Sequence, residues 1–117
     1  MKALSVSPVF HVSDLERSIG FYKDVLGFAE DFRVGSYVGL KHGDAALHIT
    51  GGGGDYRRPI GGGTVYIFCD SVDSFYETIT ARGARPSSAP CDTAYGMRDF
   101  VVHDPDGNQV SFGAEKP

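Results

Sequence analysis

The chain has 117 residues, of which 41% are hydrophobic and 22% charged, which is the composition of one ordinary globular domain. Its formal net charge of −4 argues against nucleic acid as the main partner, because neutralising phosphates takes clustered Lys and Arg. The sequence shows no membrane span, no signal peptide and no metal-type cysteine spacing, so we expect a cytoplasmic protein with reduced thiols.

The first half of the chain predicts a βαβββ unit, module 1, over about residues 1–50. Its helix spans 15–26, follows the N-cap Asp14 and ends at Gly27, with Leu15, Ile19 and Leu26 on one face. The predicted strands of this module are 4–12, 28–33, 36–41 and 45–50.

The same plan returns in module 2, over about residues 64–117. Asp70 lies 56 residues after Asp14, and Gly83 lies 56 residues after Gly27. Asp70 and Gly83 bracket a second predicted helix at 71–82. The predicted strands of this module are 64–69, 84–88, 97–103 and 108–113, the last after a DPDG turn at 104–107. The two modules form one domain, and the glycine-rich segment 51–63 between them is interpreted as a connector, with a ligand-closing loop as the alternative.

Strand alternation sorts the side chains of each module into two faces. Leu47 and Ile49 share a face that His48 opposes, and Val110 and Phe112 share a face that Ser111 opposes. If the helices cover the aliphatic faces, the concave face of the sheet carries His48, Thr64, Tyr66, Phe68 and Ser111. Aromatic, imidazole and hydroxyl groups together are typical of a small-molecule pocket, although Tyr66 and Phe68 could also be ordinary core residues.

The motifs "HVSDLERSIGFYKDVLGF", "DSVDSFYETITARGA" and "YGMRDFVVHDPDGNQVSF" resemble the vicinal oxygen chelate superfamily, which includes glyoxalases, bleomycin-resistance proteins and dioxygenases. The resemblance covers nearly the whole chain except the glycine-rich segment. It implies an α+β fold in which two βαβββ modules form a cupped mixed β-sheet, and it implies a domain-swapped homodimer.

Metal-dependent members of this superfamily place His, Glu or Gln ligands on the first and last strands of each module. The resemblance puts these positions at Ser7, His48, Thr64 and Ser111. Only His48 is a good ligand for a transition metal, because hydroxyls compete poorly with imidazole and carboxylate. We therefore expect no metal, no other cofactor and no catalytic residue.

Within the superfamily, "FYKDVLGFAEDFRVGSYVGLKHGDAALHIT" resembles the bleomycin-resistance proteins, which lack the metal and sequester their drug in clefts at a dimer interface. The resemblance implies binding of a small planar molecule, aromatic or amphipathic, such as a bleomycin-type antibiotic. The acidic net charge of the chain suits a neutral or cationic ligand. The implied ligand-binding residues are Phe32, Tyr37, His48, Tyr66, Phe68, Tyr95 and Ser111.

Two departures from these relatives concern the cleft. The positive charge of Arg33 would repel a cationic drug, and the chain has no tryptophan that could stack on the drug's aromatic rings. Arg98 and Asp99 are interpreted as a surface or interface pair. Two alternative functions remain. The first is an enzyme of this superfamily, a glyoxalase-like lyase or dioxygenase, which would either be metal-dependent or use His48 as a general base. The second is a structural or regulatory dimer without a ligand.

Overall fold

The computed structural model describes residues 1–54 and 57–117, and it contains two helices and eight strands in this part of the chain. Helix α1 (Leu15–Gly20) continues directly as a π-helical segment, Phe21–Val25, and helix α2 is Asp73–Ala81. The strands are β1 (Val9–His11), β2 (Ala29–Val34), β3 (Tyr37–His42), β4 (Ala45–Thr50), β5 (Thr64–Phe68), β6 (Cys91–Asp92), β7 (Met97–His103) and β8 (Gln109–Glu115). None of the described helices is long and apolar enough to cross a membrane.

The eight strands form two mixed sheets of the same topology, with orders β1-β4-β3-β2 and β5-β8-β7-β6. In each sheet the first strand pairs in parallel with the last, and the remaining pairs are antiparallel. The predicted α+β fold of two βαβββ modules is therefore confirmed.

One hydrophobic core lies between the helices and one face of each sheet. Leu47, Ile49, Val110 and Phe112 are buried in it, as their alternation predicts. Helix α2 packs on the second sheet, where the ring of Phe75 lies 4.7 Å from that of Phe112. None of the described helices packs against the opposite face of each sheet, which we call the open face.

The first strand is shorter than predicted. Only Val9–His11 pairs with β4, whereas residues 1–8 lie outside any strand, and Leu4 and Val6 are 86% and 90% exposed. Pro8 has no N–H to donate, and the segment before it pairs with none of the described strands. Ser7, one of the implied metal positions, consequently precedes the sheet.

The predicted strand 84–88 is absent, and its place in the sheet is taken by Cys91–Asp92 on β7. Pro86 lies within the predicted strand and Pro90 follows it, and neither proline can donate to a strand ladder. The predicted helix 15–26 has the expected extent, but its second part is π-helical, because Leu26 N–H donates to the carbonyl of Phe21. Gly20, a poor helix former, stands at the junction.

The DPDG turn also forms a buried hydrogen-bond network, in which its first residue, Asp104, is the acceptor. The Asp104 carboxylate, 5% exposed, accepts hydrogen bonds from the Tyr22 hydroxyl, from the side-chain amide of Asn108, and from the backbone N–H groups of Asp106 and Asn108, at 2.9–3.0 Å. The amide oxygen of Asn108 in turn accepts from Gly63 N–H at 2.8 Å. Tyr22 comes from module 1, so this network joins the two modules.

A second contact between the modules lies beside this network. Ser13, at the start of α1, donates both its N–H and its hydroxyl to the Asp106 carboxylate. The pKa of Tyr22 is raised far above its ordinary value, first by burial and then by the charge of Asp104. The Tyr22 hydroxyl therefore stays protonated and keeps donating to Asp104.

We expect Asp104→Ala to lower the free energy of unfolding by about 2–4 kcal/mol, because three buried donor groups lose their acceptor. Tyr22→Phe should cost about 1 kcal/mol, since it removes one donor and leaves the others paired. Urea denaturation measures both, with the exposed Asp31→Ala as control, expected within about 0.5 kcal/mol of the wild type. An Asp104→Ala protein as stable as the control would show that the network does not hold the modules together.

Candidate ligand-binding faces

The open face of the first sheet carries a first aromatic cluster of Phe32, Tyr37 and His48. The ring of Phe32 lies nearly parallel to that of Tyr37, with centroids 6.2 Å apart, and meets the His48 ring edge-on at 5.2 Å. Phe32, Gly39 and His48 are register partners on three adjacent strands. A Cβ atom on Gly39 would overlap the Phe32 ring, so the missing side chain is what lets this ring lie across β3.

Within this cluster, the Tyr37 hydroxyl and Nδ1 of His48 form a hydrogen bond of 2.8 Å. The Nε2 atom of His48 has no hydrogen-bond partner among the described residues, so it can exchange a hydrogen bond with a ligand. The group that orients His48 is a phenol rather than a carboxylate, and a phenol stabilises an imidazolium less. This geometry suits a hydrogen-bonding contact better than a general base.

Arg33 lies next to Phe32, but two carboxylates compensate its charge. Its guanidinium donates to Glu16 at 2.7 Å and to Glu30 at 2.9 Å, and these contacts raise the pKa of Arg33. The pKa of Glu30 is lowered by the same hydrogen bond. Arg33 therefore does not present an unpaired positive charge beside the first aromatic cluster.

The open face of the second sheet carries a second aromatic cluster of Tyr66, Phe68 and Tyr95. The Tyr66 and Phe68 rings are 5.0 Å apart, and Phe68 and Tyr95 are 75% and 68% exposed. The hydroxyls of Tyr66 and Tyr95 both donate to Oδ2 of Asp99, at 2.9 and 2.5 Å. Gly113 on β8 lies under the Tyr66 ring, and a Cβ atom there would overlap the hydroxyl.

The Asp99 carboxylate changes the acidity of both phenols. The pKa of Tyr66 is raised to about 12, first by partial desolvation and then by the hydrogen bond to Asp99 and its charge. The pKa of Tyr95 is raised as well, with the hydrogen bond to Asp99 as the largest cause. Both hydroxyls therefore remain hydrogen-bond donors to the carboxylate across the neutral pH range.

The structure groups six of the seven predicted ligand-binding residues into these two clusters, three in each. Ser111, the seventh, is buried on β8 beside Tyr66, its register partner. The clusters lie on different sheets, and no hydrogen bond or ring contact between them occurs within residues 1–54 and 57–117. Whether these residues bind a ligand remains a prediction.

Asp99 is the site residue that the sequence interpretation missed. It does not pair with Arg98, whose guanidinium binds Asp73 and Asp92 instead, at 2.9 and 3.2 Å. Strand alternation along β7 could have placed Asp99 on the open face, because its neighbour Phe100 is buried in the core and adjacent strand residues face opposite sides.

A groove of about 790 Å³ separates the β3–β4 turn from the beginning of α2. His42, Ile67, Cys69 and Phe75 are among its walls, and Phe68 is the one wall residue that belongs to an aromatic cluster. Within one chain, this groove therefore does not bring the two clusters together.

Comparison with known proteins identifies the family. Residues 6–112 match the Glyoxalase/Bleomycin resistance protein/Dioxygenase superfamily. The chain belongs to this superfamily. It is 28% identical to a bleomycin resistance protein of Geobacillus stearothermophilus over 121 aligned positions, which cover 90% of this chain and 92% of the relative.

Solved structures of the superfamily share the fold along almost the whole chain. The bleomycin-binding protein of Streptomyces verticillus, solved in complex with copper(II)-bleomycin, is 26% identical with a TM-score of 0.79 and covers 99% of both chains. A lactoylglutathione lyase of Agrobacterium tumefaciens is 21% identical with a TM-score of 0.78, covering 97% of this chain and 95% of the lyase. The second likeness concerns the fold alone.

Superfamily enzymes that use a metal need a set of strong ligands, and the side chains at the implied positions do not fit one. Ser7 precedes the sheet, Thr64 and Ser111 offer hydroxyls, and His48 supplies the single imidazole among the four positions. No group of three or more His, Cys, Asp or Glu residues that could hold a metal lies within the described part of the chain. Hydroxyls bind transition metals weakly beside a single imidazole, so this donor set does not hold a catalytic ion.

The raised pKa of Tyr66 predicts a specific loss of stability in alkali. An unfolded tyrosine titrates near 10 and folded Tyr66 near 12, so the stability linked to its protonated form is present below pH 10 and is lost as the pH rises towards 12. We expect the unfolding free energy of the wild type, relative to Tyr66→Phe, to fall through this window in urea denaturation. The same comparison in an Asp99→Asn background should show a smaller fall, and a pH-independent difference would contradict the assignment.

Proposed function

We propose that this protein binds and sequesters a small planar molecule of bleomycin type, aromatic or amphipathic, without converting it. The observation that carries the proposal is the pair of aromatic clusters held on sheet faces that the core does not use. Aromatic contacts contribute about 0.5–1.5 kcal/mol each beyond the burial of their area. Several rings can therefore give useful affinity without tryptophan.

The relatives support the same ligand class. Curated relatives from Geobacillus stearothermophilus and Staphylococcus aureus are bleomycin resistance proteins, and the Streptomyces verticillus structure contains copper(II)-bleomycin. The compensated charge of Arg33 removes the main electrostatic objection to a cationic drug. Antibiotic resistance by sequestration is the role that follows from this binding.

We also propose that the ligand sites are completed in a domain-swapped homodimer. The chain is flat, with extents of 43 × 40 × 23 Å, and none of its described helices covers the open face of either sheet. Residues 1–8 extend from the edge strand β1 with Leu4 and Val6 exposed, so they form an arm that can reach a second copy. Two clefts would then form, each enclosing an aromatic cluster on both sides.

The donor geometry supports sequestration over catalysis. His48 is oriented by the Tyr37 phenol and has no carboxylate partner within residues 1–54 and 57–117, and the implied metal positions are mostly hydroxyls. Cys69 and Cys91 are unpaired, which fits the reducing cytoplasm as the place of action.

Removing the most exposed stacking ring should weaken binding. We expect Phe68→Ala to raise the Kd for copper(II)-bleomycin at least about fivefold, because one stacking contact is lost, and calorimetric titration measures this. The control Glu77→Ala changes an exposed residue of α2, on the other side of the second sheet, and should leave the Kd unchanged. Mass spectrometry should recover the ligand intact; a converted product, or full affinity in Phe68→Ala, would contradict the proposal.

The proposed dimer predicts a mass of twice 12.6 kDa in sedimentation equilibrium. Leu4→Asp should shift the protein towards the monomer, because a charge on the exchanged arm cannot be buried at low cost. Ser88→Asp, which places the same charge on an exposed loop, should remain dimeric. A wild-type protein that stays monomeric at all concentrations would exclude shared clefts.

A further inference from the structure

The second aromatic cluster surrounds the carboxylate of Asp99, whose charge no described side chain neutralises. Asp99 is half-buried on β7, facing the open side of the sheet. No Lys, Arg or His lies within ion-pair distance of it among the described residues, and the neighbouring Arg98 is committed to Asp73 and Asp92. Among the described residues, the negative charge of Asp99 is therefore met only by the hydroxyls of Tyr66 and Tyr95.

Two phenols hold this carboxylate in place and leave part of it available. Tyr66 and Tyr95 both donate to Oδ2, whereas Oδ1 accepts no hydrogen bond from residues 1–54 or 57–117. A carboxylate has about four acceptor positions, so Asp99 can still accept hydrogen bonds from a ligand. The raised pKa values of both phenols indicate that its negative charge is felt across the cluster.

Glycine makes this arrangement possible. Asp99, Gly113 and Phe68 are register partners on β7, β8 and β5, so the central position of the row has no side chain. The Tyr66 ring occupies that space and reaches across β8 to Asp99. Aromatic surface and a negative charge therefore lie side by side on the open face.

The first aromatic cluster offers a different chemistry. Its polar member is His48, which is bound to Tyr37, and the nearby Arg33 is paired with Glu16 and Glu30. The two clusters thus provide similar ring surfaces, but only the second contains a carboxylate. Discrimination between charged and neutral planar ligands should therefore reside in the second cluster.

We propose that Asp99 is the specificity-determining residue of the site and that it selects planar aromatic cations, accepting an N–H group of the ligand while the rings of Tyr66, Phe68 and Tyr95 contact its flat surface. The inference rests on the proposed function, because it names the ligand class of that same site. An aromatic ring face and a carboxylate both attract a positive charge, so the rings and Asp99 would favour the same cationic ligand.

The test uses two probes of one ring system, 9-aminoacridine, a cation at neutral pH, and acridine, which is neutral there. The wild type should bind 9-aminoacridine roughly tenfold or more tightly than acridine, the scale of one charge-assisted hydrogen bond. In Asp99→Asn this preference should disappear, through loss of affinity for the cation with acridine affinity unchanged within about twofold. Calorimetric titration measures both affinities.

Two further variants distinguish the role of Asp99 from general effects of charge or folding. Asp70→Asn removes an equal charge near Phe68 but outside the hydrogen bonds of the cluster, and it should keep the preference. Asp99→Glu keeps the charge and should retain most of the preference, which also guards against a folding defect in Asp99→Asn.

The outcomes distinguish this inference from the proposed function. Equal binding of both probes by the wild type, or an undiminished preference in Asp99→Asn, would overturn the role of Asp99 while leaving planar-ligand binding in place. Equal losses in Asp99→Asn and Asp70→Asn would assign the preference to the overall negative charge and also overturn the role. A wild type that binds neither probe nor copper(II)-bleomycin would overturn both.

Discussion

The buried carboxylate of Asp104 is the constraint on which the arrangement of the two modules depends. It accepts four hydrogen bonds, and one of them comes from Tyr22 in the other module. A buried charge is tolerable only when its acceptor positions are filled, so the network forms as a unit or not at all. This explains the DPDGN motif: Gly107 takes a positive φ of 95°, and Asn108 supplies donors to Asp104 and an acceptor to Gly63.

Duplication of the βαβββ unit gave the two open faces the same framework and different chemistry. In each sheet a glycine, Gly39 or Gly113, leaves room for an aromatic ring to lie across a neighbouring strand. The polar group next to that ring is His48 in the first sheet and Asp99 in the second. The backbone thus fixes where rings can lie, and in the proposed function single side chains would decide which ligand those rings accept.

Local periodicity predicted the parts of the structure that depend on local sequence. Alternation placed His48 opposite Leu47 and Ile49, because the two faces of a strand follow from the backbone alone. It could not predict where β1 begins or that 84–88 is not a strand, because strand ends depend on distant hydrogen-bond partners. The role of Asp99 was not predicted for a related reason. Its hydrogen-bond partners Tyr66 and Tyr95 lie 33 and 4 residues away, on segments that only the fold brings together.

A cleft shared between two chains would couple ligand binding to assembly. A planar molecule seated between clusters of two copies binds the dimer and not the free chain, so mass action makes the ligand stabilise the dimer. In the proposed dimer, the exposed apolar surface of Leu4 and Val6 would be covered by the second copy, which would add to the stability of the assembled state. In the proposed sites, tight binding would come from enclosed ring surface, which the two aromatic clusters provide.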